Sequence, residues 1–181
     1  MTRRWIALFA AAALVLAATA ASAQSRSAKQ QEEEDRVRAS VGASLGFFAD
    51  DPGGINLGFE IPIEVNRNLS VGPWATLGLA DDFLLLSATA NVRYAFDVFD
   101  GPKLRKLRPF LQGGVGISYY DDDDRDDDET GFLMNMGLGA EYAVSEHVGL
   151  GSNLMFNAVP TFRPDRAFYW SWQFLELRYR F

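Results

Sequence analysis

The stretch FLELRYRF, residues 174–181, sets Leu175, Leu177, Tyr179 and Phe181 on one parity and Glu176, Arg178 and Arg180 on the other. Side chains of a strand point to opposite faces at every step, so one face here is apolar and the other fully ionised. A strand of that kind fits between lipid and water, where lipid-facing and lumen-facing residues alternate and aromatic residues mark the interfaces.

The same period of two recurs upstream between turn-rich breaks. Val41, Ala43, Leu45 and Phe47 mark the outer face of a first strand. Ile55, Leu57, Phe59, Ile61, Ile63 and Val65 mark a second, with Asn56, Glu60 and Glu64 opposite. Val71, Ala75, Leu77 and Leu79 give the third, and Leu84, Leu86, Ala88, Ala90, Val92 and Tyr94 the fourth, against Ser87, Thr89, Asn91 and Arg93. PFLQGGVGISYY (109–120), FLMNMGLGAEYAV (132–144) and VGLGSNLMF (148–156) follow, and the terminal strand makes eight. In that last strand Trp170, Trp172 and Phe174 share one parity and Leu175 to Phe181 the other, which a bulge near Phe174 reconciles. The region from Arg38 to Phe181 allows about eighteen residues per strand and loop, which predicts an all-β, eight-stranded antiparallel up-and-down transmembrane β-barrel. A barrel of eight strands has an interior just wide enough for side chains to fill.

Ahead of the barrel, Arg3 and Arg4 precede an apolar stretch from Trp5 to Ala20 and an Ala21-Ser22-Ala23 site, the layout of a secretory signal over 1–23 cleaved before Gln24. Residues 24–37 are polar and lack an apolar stripe, which predicts a periplasmic arm, and the barrel domain is expected over 38–181. There is no cysteine, so stability must come from ladder hydrogen bonds and burial in the membrane.

The formal charge is −7, or −9 once Arg3 and Arg4 leave with the signal, and eight acids against Arg125 make the segment Asp121 to Glu129 alone −7. Acidity is therefore the property of one loop. No basic face is left to neutralise phosphates, so nucleic acid is not an expected partner.

The stretch Arg108, Pro109, Phe110, Leu111, Gly113, Gly114, Val115 and Gly116 is similar to a recurrent strand start in small porin-like β-barrels, and with the terminal strand and the signal the chain resembles the bacterial outer-membrane β-barrel proteins. The resemblance implies residence in the outer membrane of a Gram-negative bacterium, with outer-membrane lipids, lipopolysaccharide and the barrel assembly machinery as partners. It implies that Tyr179 and Phe181 serve as the assembly signal. It does not imply one function.

With both termini in the periplasm, the outer connections are expected at 49–54, 80–83, 121–131 and 157–167, and short periplasmic turns at 66–68 and 145–146. The basic connection 97–106, with Lys103, Arg105 and Lys106, is long for such a turn.

Three constellations compete for a role. Glu60, Glu64, Arg93, Glu141, Glu176, Arg178 and Arg180 fall on lumen-facing parity and are expected to meet inside the barrel, as a plugging network of carboxylates and forked guanidiniums or as the lining of a narrow path. Asp121, Asp122, Asp123, Asp124, Asp126, Asp127, Asp128 and Glu129 form an acidic loop that hydrates the surface or binds a divalent cation such as calcium, although Gly137 stands where an EF-hand starting at Asp126 needs a glutamate. Ser145, Glu146 and His147 lie too close together in a turn to align as nucleophile, base and orienter, and no catalytic residue, cofactor or definite metal ligand is expected. The expected protein is a small, non-enzymatic barrel with a structural or surface-interaction role. A narrow porin-like, cation-preferring channel is the alternative, and a lipid A-modifying enzyme is the third reading.

Overall fold

The computed structural model describes residues 38–49, 53–80, 83–98, 106–122, 127–162 and 167–181. The expected signal, the polar arm, Lys103, Arg105, Asp123, Asp124 and Asp126 lie outside the described residues. Nine strand segments follow one another: β1 Arg38–Ala49, β2 Gly54–Glu60, β3 Ile63–Glu64, β4 Leu69–Leu79, β5 Phe83–Ala95, β6 Leu107–Asp122, β7 Asp127–Ala143, β8 Val148–Ala158 and β9 Phe168–Arg180. Each pairs antiparallel with its neighbour, and β9 returns to pair with β1, so the sheet closes. Because β2 and β3 are two halves of one strand, both paired to β1 and β4, the result is the eight-stranded antiparallel barrel expected from the alternation.

That split corrects the expectation of an unbroken second strand. Pro62 has no N–H to donate, and Pro73, facing the break from β4, has none either. The ladder survives there through Ile61 N–H to Pro73 O at 3.1 Å and Ser40 N–H to Pro62 O at 2.9 Å. A side chain at Gly72 would run into the Ile61 carbonyl, so glycine is what lets β4 close on the break. Parity carries across, and Glu60 and Glu64 both stay on the inner face.

The expected bulge is present at Phe174 and Leu175. On one side Leu45 faces Leu175 while Phe47 faces Trp172, and on the other Gly151 faces Glu176 while Asn153 faces Gln173. Both neighbours slip at the same place, and Phe174 and Leu175 both point outward. The bulge puts Tyr169, Ser171 and Gln173 on the same inner face as Glu176 and Arg178, all five buried.

The outer face is apolar nearly throughout. Leu57, Phe59, Val92, Leu111, Val115, Ile117, Phe132, Leu138 and Leu177 are exposed in one continuous belt. In water such a belt is an aggregation surface; in a bilayer it faces its proper solvent. No helix among the described residues is long and apolar enough to cross a membrane, and strands do the crossing.

The connections at the rim where β1 begins and β9 ends, the rim of the barrel termini, are 65–68, 96–106 and 144–147, and those at the opposite rim are 50–53, 80–82, 123–126 and 159–167. The third of these corrects the expected loop of 121–131. The hairpin continues until Asp121 faces Asp128 and Asp122 faces Asp127, so half of the acidic segment is strand.

Deleting Phe174 should remove the bulge and leave Gln173, Glu176 and Arg178 on the inner face of a now regular β9, so the heat-modifiable, fast-migrating form on unboiled gels should persist. Inserting one alanine between Glu176 and Leu177, which turns Arg178 and Arg180 toward lipid, should abolish that form. Loss of the form in the deletion variant would contradict the assigned register.

Candidate functional site in the barrel lumen

The lumen is filled in three layers, and the charged layer lies at the rim of the termini. All seven side chains expected to meet there do so. Arg93 on β5 places Nη1 2.6 Å from Glu176 Oε1 and 3.9 Å from Glu141 Oε2, and Nη2 3.4 Å from Glu60 Oε2. Its Nε donates to Gln112 Oε1 at 2.9 Å, and its guanidinium carbon sits 4.1 Å above the centre of the Phe110 ring. Arg178 on β9 reaches Glu60 Oε1 at 2.5 Å, Glu141 Oε2 at 3.1 Å and Glu176 Oε1 at 3.2 Å. Arg180 pairs with Glu64 Oε1 at 3.0 Å and with Glu141 Oε1. Removing these charges from water is costly, and the many forked donors are what offset it.

Two glycines make the seats. A methyl group at Gly42 would lie 2.6 Å from Glu60 Oε1 and 2.7 Å from its Cγ, and one at Gly149 would lie 2.6 Å from Glu141 Oε1. Each carboxylate arm thus lies across the bare backbone of the next strand.

The middle layer is neutral and polar. Asn56, Ser87, Thr89, Gln112, Ser118, Asn135, Asn153, Asn157, Ser171 and Gln173 are all buried, with Ser87 and Ser118 sharing a hydroxyl hydrogen bond of 2.9 Å. A cavity of about 10 Å³ among Asn56, Asn135 and Asn157 and another of that size beside Glu60 and Asn91 have room for about one water each. A cavity of about 30 Å³ opens at the charged rim beside Glu64, Arg93, Glu141 and Arg180.

The third layer is one that strand periodicity did not indicate. Phe48, Leu85, Tyr120, Leu133 and Tyr169 point inward at the loop rim and pack with Val159 and Phe162 into one apolar cluster. Val159 and Phe162 come from the connection after β8, which folds into the barrel mouth; Phe162 N–H donates to Val159 O at 3.0 Å, and the Phe162 ring meets Tyr120 edge-on at 6.3 Å. Gly131 leaves the space beneath, since a Cβ there would strike Thr161 and Val159. The signal for this cap was an apolar residue on inner parity at the loop end of several strands, as in Phe47-Phe48 and Leu84-Leu85-Leu86. The part played by residues 159–162 had no periodic signal.

The other expected features fall apart from the lumen. Ser145 Oγ accepts the backbone N–H groups of His147, at 3.3 Å, and Val148, at 3.0 Å, while His147 Nδ1 lies 3.1 Å from the Arg180 carbonyl and its ring stacks on Tyr179 at 6.0 Å. Serine and imidazole therefore both serve the turn and the end of β9. Phe181 N–H donates to Ala39 O at 3.1 Å, which ties the terminal residue to β1. Among the described residues no three His, Cys, Asp or Glu side chains converge on a metal position.

The basic connection acquires a partial account. Asp97 takes Arg108 Nε at 3.1 Å, Arg67 Nε at 3.4 Å and Asn68 Nδ2 at 3.3 Å, which staples its first residues to the 65–68 turn. Slight desolvation pushes the Asp97 carboxyl up, and the Asn68 hydrogen bond with the charges of Arg108 and Arg67 outweighs this, holding it below the ordinary carboxylate range.

Gly42→Ala and Gly149→Ala should each force a network carboxylate from its seat and cost on the order of 1–3 kcal/mol, read as an earlier midpoint in urea unfolding from micelles. Because folding lowers the Asp97 pKa, its staple contributes fully above the unfolded value of about 3.9 and is lost as pH falls through the folded value. The stability gap between wild type and Asp97→Asn should accordingly close in acid, in parallel urea titrations.

Comparison with known proteins agrees with this geometry. No curated protein matches the chain. The neisserial surface protein NspA is 17% identical with a TM-score of 0.61, the alignment covering 80% of this chain and 96% of that one. The N-terminal β-barrel domain of Pseudomonas aeruginosa OprF is 14% identical with a TM-score of 0.60, over 81% and 100% of the two chains. OprG of Pseudomonas aeruginosa gives 12% and 0.56 over 82% and 97%. At these identities the likeness concerns the fold. The family model described as the outer membrane protein beta-barrel domain matches residues 9–166, and with the closed barrel and its apolar belt this places the chain in the outer-membrane β-barrel family.

Proposed function

We propose that this protein is a small, non-enzymatic barrel of the Gram-negative outer membrane whose lumen is plugged and whose role is structural or surface-directed, exercised through its outer loops. The observation that carries the reading is the stacking of three closed layers along one lumen: the charged network, the amide and hydroxyl belt, and the apolar cap. An ion would have to break the pairs of Arg93 and Arg178 and then displace Phe162 and Tyr120, at a cost in charge separation and in packing. In this reading the rim of the termini is periplasmic, and the acidic hairpin from Asp121 to Glu129 stands outside among lipopolysaccharide headgroups, where divalent cations are the natural counterions.

The rival reading, a narrow cation-preferring channel, draws on that acidic hairpin, which would enrich cations at the loop rim. The barrel refolded into planar bilayers should be electrically silent at low and high salt, with and without calcium. Stable cation-selective steps would overturn the plug and make the lumen charges a conduction path. Replacing Arg178 and Arg180 together with glutamine should strand buried carboxylates and lower stability by about 3–5 kcal/mol or more, with leak conductance where the barrel still folds. Unchanged stability and unchanged conductance in that variant would contradict the plug.

A further inference from the structure

We infer that the lumen network binds one proton, held between Glu60 and Glu176, as part of its folded structure. The ion-paired set comprises four carboxylates, Glu60, Glu64, Glu141 and Glu176, against three guanidiniums, Arg93, Arg178 and Arg180. Fully ionised, it carries one unbalanced negative charge in a place withdrawn from water, where an uncompensated charge is strongly unfavourable.

The geometry locates the imbalance. Glu60 Oε1 and Glu176 Oε1 both lie on Arg178 Nη2, at 2.5 and 3.2 Å, and Arg93 spans the same two residues through Nη2 and Nη1 at 3.4 and 2.6 Å. Their side chains are only 13% and 6% exposed. Two buried carboxylates gathered on one nitrogen repel each other, and a single proton turns that repulsion into a hydrogen bond in which the acid O–H donates to its partner's carboxylate oxygen. The remaining carboxylates are differently placed. Glu64 on β3 belongs to Arg180 at the more open rim, and Glu141 on β7 lies between Arg178 and Arg180.

Other charges near the pair are spent elsewhere. Arg108 on β6 turns to Asp97, and Arg38 on β1, opposite Glu64 in register, is exposed and makes no ion pair among the described residues. The inward faces of β4 and β8 at this level carry Ser70, Trp74, Gly149 and Gly151, without charge. Solvent water supplies the proton during assembly, and no covalent step is involved.

The test is infrared and carbon NMR spectroscopy of the full mature barrel, refolded with glutamate labelled at the side-chain carboxyl carbon. At neutral pH the wild type should show a protonated glutamate signal equivalent to one residue per barrel. That signal should vanish in Glu176→Gln and in Glu60→Gln, each of which leaves three carboxylates to three guanidiniums, and persist in Glu146→Gln, an exposed turn residue outside the network. Complete ionisation of the glutamates in the wild type would overturn the inference, including the case in which a sodium or potassium ion balances the charge instead. Where the glutamine variants do not refold, the wild-type spectrum decides alone. The readout is the charge of the network and not the passage of ions, so its outcome and that of the bilayer recordings are separate.

Discussion

Closure of β9 on β1 is the constraint from which the rest of the molecule follows. Lipid offers no hydrogen-bond partner to a free strand edge, so a chain that crosses with strands must pair every edge, and here the last strand pairs with the first from Trp170 to Arg180, interrupted only at the bulge. Closure fixes the curvature of eight strands, and that curvature makes the lumen narrow enough for side chains to fill. It also tolerates local faults only where something compensates. The Pro62 and Pro73 break is bridged by Ile61 and Ser40, and the bulge at Phe174 and Leu175 is accommodated on both sides at once.

The charged layer depends on that closure in a direct way. Glu60 and Glu64 come from the second strand, Arg93 from the fourth, Glu141 from the sixth and Glu176, Arg178 and Arg180 from the eighth, so nothing short of a closed ring brings them together. Once together they resist separation, because each residue left without its partners would be a buried charge. The network and the terminal strand thus support each other: the strand aligns three of the seven groups, and those groups tie the strand across the lumen to the second, fourth and sixth strands. Phe181 and His147 extend the same anchoring at the rim through Ala39 and Arg180.

The two ends of the lumen use opposite physics. At the rim of the termini, closure is by paired charge, with a cavity of about 30 Å³ beside it. At the loop rim, closure is by an apolar cluster in which Val159 and Phe162 are carried in from a connection, not from the wall. Between them lies a belt of amides and hydroxyls with space for single waters. A small barrel interior thus passes from ionic to polar to apolar over the length of one strand.

Much of this was legible in the chain alone because the side-chain period of a strand is local. Leu177 and Arg178 take opposite faces whatever the rest of the molecule does, and the switch of parity between Phe174 and Leu175 by itself requires a bulge. The sequence by itself determined the membrane-type strands, their number and the inward parity of all seven network charges. Only the tertiary structure decided which carboxylate meets which guanidinium, that Gly42 and Gly149 provide their seats, that the acidic segment is half hairpin, and that Phe162 caps the mouth. Those outcomes depend on the stagger between strands and on how a loop folds back, which are set by contacts between residues distant in sequence and leave no period along the chain.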